Sequence, residues 1–118
     1  MRCTEDPALV QRLAASHMPL TVCPLSNVKL CVFKTMQEHN LATLLHAGLC
    51  ITINSDDPAY FGGYLLTNFE AVFAALPQLS AQDAWQLARN SIDASFVPAA
   101  DKAPWRAQLD AVFAEALA

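Results

Sequence analysis

The sequence predicts an α/β fold in which short parallel strands alternate with helices and a helical segment follows, the arrangement found in the closing part of a larger parallel sheet. Three observations lead there. Two short, apolar, β-prone runs at 20–23 and 49–53 are separated by enough chain to hold a crossover helix, and strands so separated pair in parallel. From Tyr64 onward the apolar residues recur only at helical spacing. Apolar residues make up 54% and charged residues 15% of the 118, much core material against little charge for an independent surface. Two parallel strands alone leave faces and edges to be covered, so the missing strands are expected in another part of the fold or another chain.

In chain order, residues 4–18 predict a helix. Thr4 or Asp6 can cap it, Pro7 suits its first turn, Leu9, Val10, Leu13 and Ala14 form its apolar stripe, and Pro19 stops it. Residues 20–23 form the first strand, ended by Pro24; Leu25, Ser26 and Asn27 read as a turn, because Ser and Asn satisfy backbone groups locally. Residues 28–36 have no clean periodicity. Residues 40–47 predict a helix with Leu41, Leu44 and Leu45 on one face and Gly48 at its C-terminal cap. Residues 49–53 are the clearest strand, a continuous apolar run suited to burial between helical layers. Helices follow at 64–76, closed by Pro77, at 80–90, with Ser80 and Asp83 as a capping pair, and at 103–117. In the last, Pro104 is placed in the first turn and Trp105, Leu109, Val112, Phe113 and Leu117 face inward. The chain is read as one partial domain, 1–118, with strands and site loop in 1–63 and helices in 64–118.

The formal net charge of −4, with no run of Lys or Arg, argues against nucleic acid or an anionic membrane as partner. No apolar run approaches the ~20 residues of a membrane span, and the first residues lack the apolar stretch of a signal peptide. Cys3, Cys23, Cys31 and Cys50 are irregularly spaced, without a C-x-x-C pair. That suits free thiols and a cytoplasmic location rather than a zinc ribbon or redox centre.

The stretch with most chemistry is Ile51-Thr-Ile-Asn-Ser-Asp-Asp-Pro-Ala-Tyr-Phe-Gly-Gly-Tyr64. Two adjacent carboxylates beyond an apolar strand repel each other, and a cation beside them relieves that repulsion. Active sites of parallel α/β folds form at this end of the strands. The plainer reading of Asp56-Asp57 is a helix N-cap followed by Pro58 at the first helical position. Gly62-Gly63 supplies a hinge, room for a ligand or a positive φ.

Three strings together carry a family resemblance: Thr21-Val-Cys-Pro-Leu-Ser-Asn-Val-Lys-Leu30, Ile53-Asn-Ser-Asp-Asp-Pro-Ala-Tyr-Phe-Gly-Gly-Tyr64 and Ala88-Arg-Asn-Ser-Ile-Asp-Ala-Ser-Phe96. They resemble the seventh-strand, eighth-strand and following helical segments of the adenosine/adenine deaminases, in that order, and are closer to the adenine branch. The resemblance implies the C-terminal segment of a (β/α)8 TIM barrel that binds one zinc ion and a small-molecule purine. It implies that Asp56 is a zinc ligand and Asp57 the acid that meets a purine ring nitrogen; Ser26 and Asn27, at the mouth of the preceding strand, are expected to brace the loop or else shape the pocket, and Gly62 is a further candidate pocket-shaping residue. The implied reaction is adenine plus water giving hypoxanthine plus ammonia, with adenosine to inosine as the alternative.

The family's His-x-His pair, its His-x-Gly-Glu segment and its later histidine have no counterpart in this sequence. No catalytic residue is therefore assigned here, and the chain by itself is expected to be inactive and to bind zinc weakly. His46-Ala-Gly-Leu49 departs from His-x-Gly-Glu at Leu49 and ends a helix; His46 and His17 read as helix C-terminal residues, and His39 as solvent-facing. The His-x-Glu and Pro-Cys-x-x-Cys pattern of the cytidine-type deaminases is missing. A different class of function, a non-catalytic helical module that self-associates or binds a partner through its apolar surface, is the competing expectation, alongside completion of the barrel by a separate N-terminal portion.

Overall fold

A computed structural model describes residues 2–118. A 3-10 turn at Arg2–Glu5 leads into α1 (Pro7–Ser16). Of the two predicted caps it is Asp6 that acts, its carboxylate accepting the backbone N–H groups of Ala8 and Leu9. The helix ends before Pro19 is reached, because His17 turns left-handed at φ 48°.

Next come β1 (Leu20–Val22), α2 (Pro24–Lys29), a 3-10 turn at Met36–Glu38, α3 (Leu41–His46) and β2 (Ile51–Ile53). The segment expected as a turn at Leu25-Ser-Asn27 is instead the middle of α2. Pro24 presets its first turn. The side chains that would compete for the local backbone are engaged elsewhere, Ser26 with Asp56 and Asn27 with His39. At the end of α3, Gly48 adopts φ +83° and Leu49 N–H returns to the carbonyl of Leu44, the helix stop its position predicts.

The strands pair in parallel, Leu20 with Ile51, Thr21 with Thr52 and Val22 with Ile53. Strand period two therefore gives the sheet two faces. Val22, Ile51 and Ile53 join Leu41, Leu44, Leu49, Val72, Leu76 and Leu87 in the core. Thr21, Thr52 and Asn54 line a groove on the other face.

After β2 the chain forms a one-turn helix, α4 (Pro58–Phe61), then α5 (Leu65–Ala75), α6 (Ala81–Ala94) and α7 (Ala99–Leu117). The Ser80–Asp83 capping box forms as expected. The last helix begins a turn earlier than the position of Pro104 suggests, so Pro104 lies inside it. The inward face expected for α7 is not found: none of its residues is buried, and Trp105, Val112 and Leu117 are exposed. It docks on α6 through Trp85 against Phe113 and through polar contacts. Trp85 Nε1 donates to Asp110 at 2.8 Å, and Arg106 pairs with Asp93. Among the described residues no helix is long and apolar enough to cross a membrane.

Candidate functional site at the C-terminal ends of the strands

Because the strands are parallel, the segments leaving them emerge side by side. Asn54 N–H donates to the carbonyl of Val22 at 2.8 Å, extending the pairing one residue past β2. The Asn54 side chain then donates to Thr52 Oγ1 at 2.9 Å, while that hydroxyl donates to the carbonyl of Leu20. The strand exit is thereby held by its own polar side chains.

Two residues further on, Asp56 adopts φ 58°. An L-residue in this region is strained, and Asp tolerates it better than most. The bend swings its carboxylate back towards α2, where Ser26 Oγ donates to Oδ2 at 2.8 Å; its other oxygen accepts Asp57 N–H at 2.9 Å. Ser26 is 1% exposed, whereas Asp56 is open to solvent. The carboxylate is thus fixed from beneath and accessible from outside. Asp56 also acts on a neighbour: burial raises the Cys23 thiol above its ordinary pKa, and the Asp56 charge adds to the rise.

Asp57 follows the plainer of its two expected roles in the backbone. It caps α4, Oδ1 accepting Tyr60 N–H at 3.0 Å, with Pro58 in the first helical position. Its Oδ2 meets no hydrogen-bond donor among the described residues. Gly62 ends α4 at φ +78°, where an added Cβ would meet nothing within 4 Å, so its requirement is conformational. Gly63 is the close-packed one, since a Cβ there would lie 2.5 Å from Leu25 Cδ1.

Asn27 braces the loop, its Oδ1 lying 3.1 Å from His39 Nε2. The expectation that His39 faces solvent is overturned: it is 3% exposed, and its Nδ1 accepts Leu41 N–H at 3.1 Å. Nε2 therefore carries the proton and donates to Asn27, and burial lowers the ring's pKa to about 4. His46 pairs with Asp83 at 3.1 Å, and His17 caps α1. None of the three turns to Asp56, and among the described residues no three His, Cys, Asp or Glu side chains converge.

Sequence reasoning passed over two buried asparagines. Asn90 on α6 donates to the carbonyl of Ile51 at 2.8 Å and holds that helix on β2. Asn68 on α5 is fully buried; it accepts Leu25 N–H at 3.1 Å and donates to the carbonyl of Tyr64 at 3.0 Å. Polar residues on otherwise apolar helical stripes are the signal that could have revealed them. The larger cavity, about 580 Å³, lies at the opposite strand ends beside His17, Gly48, Cys50 and Asp93; it takes in neither carboxylate of the doublet.

The model of the adenosine deaminase family matches residues 1–112. This chain belongs to that family. It is 59% identical over 113 residues to the adenine deaminase of Geotalea uraniireducens, covering 96% of this chain and 32% of that protein. It is equally similar, over 110 residues, to the adenine deaminase of Hahella chejuensis. The crystal structure of adenine deaminase from Arthrobacter aurescens superposes with a TM-score of 0.88 at 46% identity, over 92% of this chain and 33% of that one. A zinc-bound amidohydrolase from Burkholderia ambifaria superposes with a TM-score of 0.82 at 25% identity, over 95% of this chain and 31% of its own. The family member described here therefore spans about a third of the length of the relatives it matches. Its two strands and their helices correspond to part of an adenine deaminase barrel.

Proposed function

We propose that this segment is the C-terminal part of a zinc-dependent adenine deaminase, in which it supplies one carboxylate ligand to the metal and one acid to the purine. The reaction is adenine plus water giving hypoxanthine plus ammonia. The observation that carries the reading is Asp56: a strained, solvent-open carboxylate at the C-terminal end of a buried parallel strand, tethered by a buried hydroxyl from the neighbouring strand exit.

The donor set fits a share of a metal site. Carboxylate oxygen is an accepted zinc ligand, and each Asp56 oxygen accepts one hydrogen bond and keeps lone-pair capacity for a cation. One carboxylate does not complete a site that normally takes three protein ligands, so the others belong to the remainder of the barrel. When bound, zinc supplies the Lewis acidity that makes water nucleophilic near neutral pH.

The contribution of this chain is positioning. Ser26 and Asp57 N–H orient the Asp56 carboxylate. Asp57, held by the first turn of α4, presents Oδ2 as the group that meets a purine ring nitrogen. Asn27 and Gly62 shape the loops on either side. The names of the relatives favour adenine over adenosine as substrate.

The test is a hybrid in which this chain replaces the matching third of the Geotalea uraniireducens enzyme. It should deaminate adenine in preference to adenosine and carry one zinc. Asp56→Ala should remove both metal and turnover, and Asp57→Ala should keep the metal while losing turnover. An Asp56→Ala hybrid with undiminished zinc and rate would sink the reading.

A further inference from the structure

We infer that Asn68 is a positioning residue for the metal carboxylate, acting through Ser26; this rests on the metal-binding reading of Asp56. The first turn of α2 needs a cap, and Cys23, at the N-cap position, makes no side-chain hydrogen bond there. The cap comes from forty-three residues away, where Asn68 Oδ1 accepts Leu25 N–H at 3.1 Å. The amide nitrogen of Asn68 donates to the carbonyl of Tyr64 at 3.0 Å and lies 3.4 Å from that of Gly63. One fully buried side chain thereby joins the start of α2 to the start of α5.

The residue after Leu25 is Ser26, whose hydroxyl reaches Asp56 Oδ2 at 2.8 Å. The path runs from Asn68 to the Leu25 backbone, to the Ser26 hydroxyl and on to the Asp56 carboxylate. Gly63 lies beside this path, since a Cβ there would press on the Leu25 side-chain tip at 2.5 Å and on Thr67 at 3.2 Å. Such buried, directional contacts behind a ligand fix its orientation, and their loss typically weakens metal binding by about tenfold to a hundredfold.

The test uses the zinc-loaded hybrid and measures the rate of zinc release into a chelator, alongside kcat and KM for adenine. Ser26→Ala should release zinc about tenfold faster and lower kcat with little change in KM, because Asp57 is untouched. Asn68→Ala should do the same in the parent and add nothing further in the Ser26→Ala background. Asn68→Ser, whose hydroxyl can return to the carbonyl of Tyr64 four residues back but leaves Leu25 N–H uncapped, should release zinc as fast as Asn68→Ala. Parental release from Ser26→Ala, in a hybrid whose Asp56→Ala form does lose zinc, would overturn the inference while leaving the metal reading intact. So would Asn68→Ala acting with equal factor in both backgrounds. Loss of zinc dependence on Asp56 itself would instead remove the reading on which the inference stands. If Asn68→Ala does not fold, Asn68→Ser, alone and combined with Ser26→Ala, decides it by the same comparison.

Discussion

Ser26 Oγ and Asp56 Oδ2, thirty residues apart in sequence, meet at 2.8 Å across the C-terminal ends of two parallel strands. The contact lets the part the carboxylate plays in the fold be tested apart from the role proposed for it towards a cation. Asp56→Asn retains a partner for the Ser26 hydroxyl and a residue type that accepts a left-handed backbone. In the metal-free hybrid it should change unfolding free energy by less than about 0.5 kcal/mol, and on adding zinc it should take up none, so that the metal stabilises only the parent. Urea denaturation and metal analysis on the same preparation check both halves.

His39 predicts an acid limb in stability. Its ring accepts one hydrogen bond and donates another only when neutral, and burial holds its folded pKa at about 4 against an ordinary 6.5. As pH falls through 6.5 the unfolded chain takes up a proton that the folded chain refuses. Stability is therefore fully present above that value and declines between about 6.5 and 4. Asp83, held below its ordinary value against a burial effect that would raise it, by hydrogen bonds from Ser80 and by His46, loses its contribution only as pH falls below about 4. Urea midpoints measured across the upper window should slope in the parent and flatten in His39→Gln.

The glycine pair makes opposite demands. Gly62→Ala should cost about 1–2 kcal/mol through its left-handed backbone alone, and Gly62→Asn distinctly less. Gly63→Ala should cost about 1–3 kcal/mol through collision with Leu25 and Thr67, and it should also speed zinc release, because Leu25 precedes Ser26. Chemical denaturation combined with the chelator assay distinguishes the two positions.

The α6–α7 contact should loosen in two grades. Phe113→Ala removes the ring that lies tilted against Trp85 and should cost roughly 1–2 kcal/mol for a half-buried aromatic. Asp93→Ala removes the partly exposed pair with Arg106, and its cost should be about 1 kcal/mol or less and shrink with salt. Hydrogen exchange along α7, and Trp85 emission read in this chain with Trp105→Phe, report the loss.

The alternation of strands and helices was legible because burial dictates it. The apolar run at Ile51–Ile53 is fully buried, and Ser80, Asp6 and Gly48 cap their helices by local rules that need no tertiary knowledge. Misreadings arose where a distant group changes local preference. Ser26 and Asn27 look like turn formers until their hydroxyl and amide are taken by Asp56 and His39. His39 looks polar and exposed until two hydrogen bonds make its burial affordable. The periodicity of α7 suggested an inward face, yet those apolar residues are largely exposed. At the site, the doublet and its place after β2 could be read directly. The left-handed bend at Asp56 and the buried Asn68 behind it go with contacts thirty and forty-three residues apart, which no local pattern encodes.

The left-handed bend at Asp56 has an evolutionary corollary. Asparagine and glycine suit that dihedral at least as well as aspartate does, whereas glutamate, the other acid, does not. Drift at this codon therefore runs downhill towards uncharged residues that leave the scaffold standing. If Asp56 has the metal role proposed for it, selection for that chemistry is what keeps an acid there, and a descendant released from it would lose the metal long before it lost its shape.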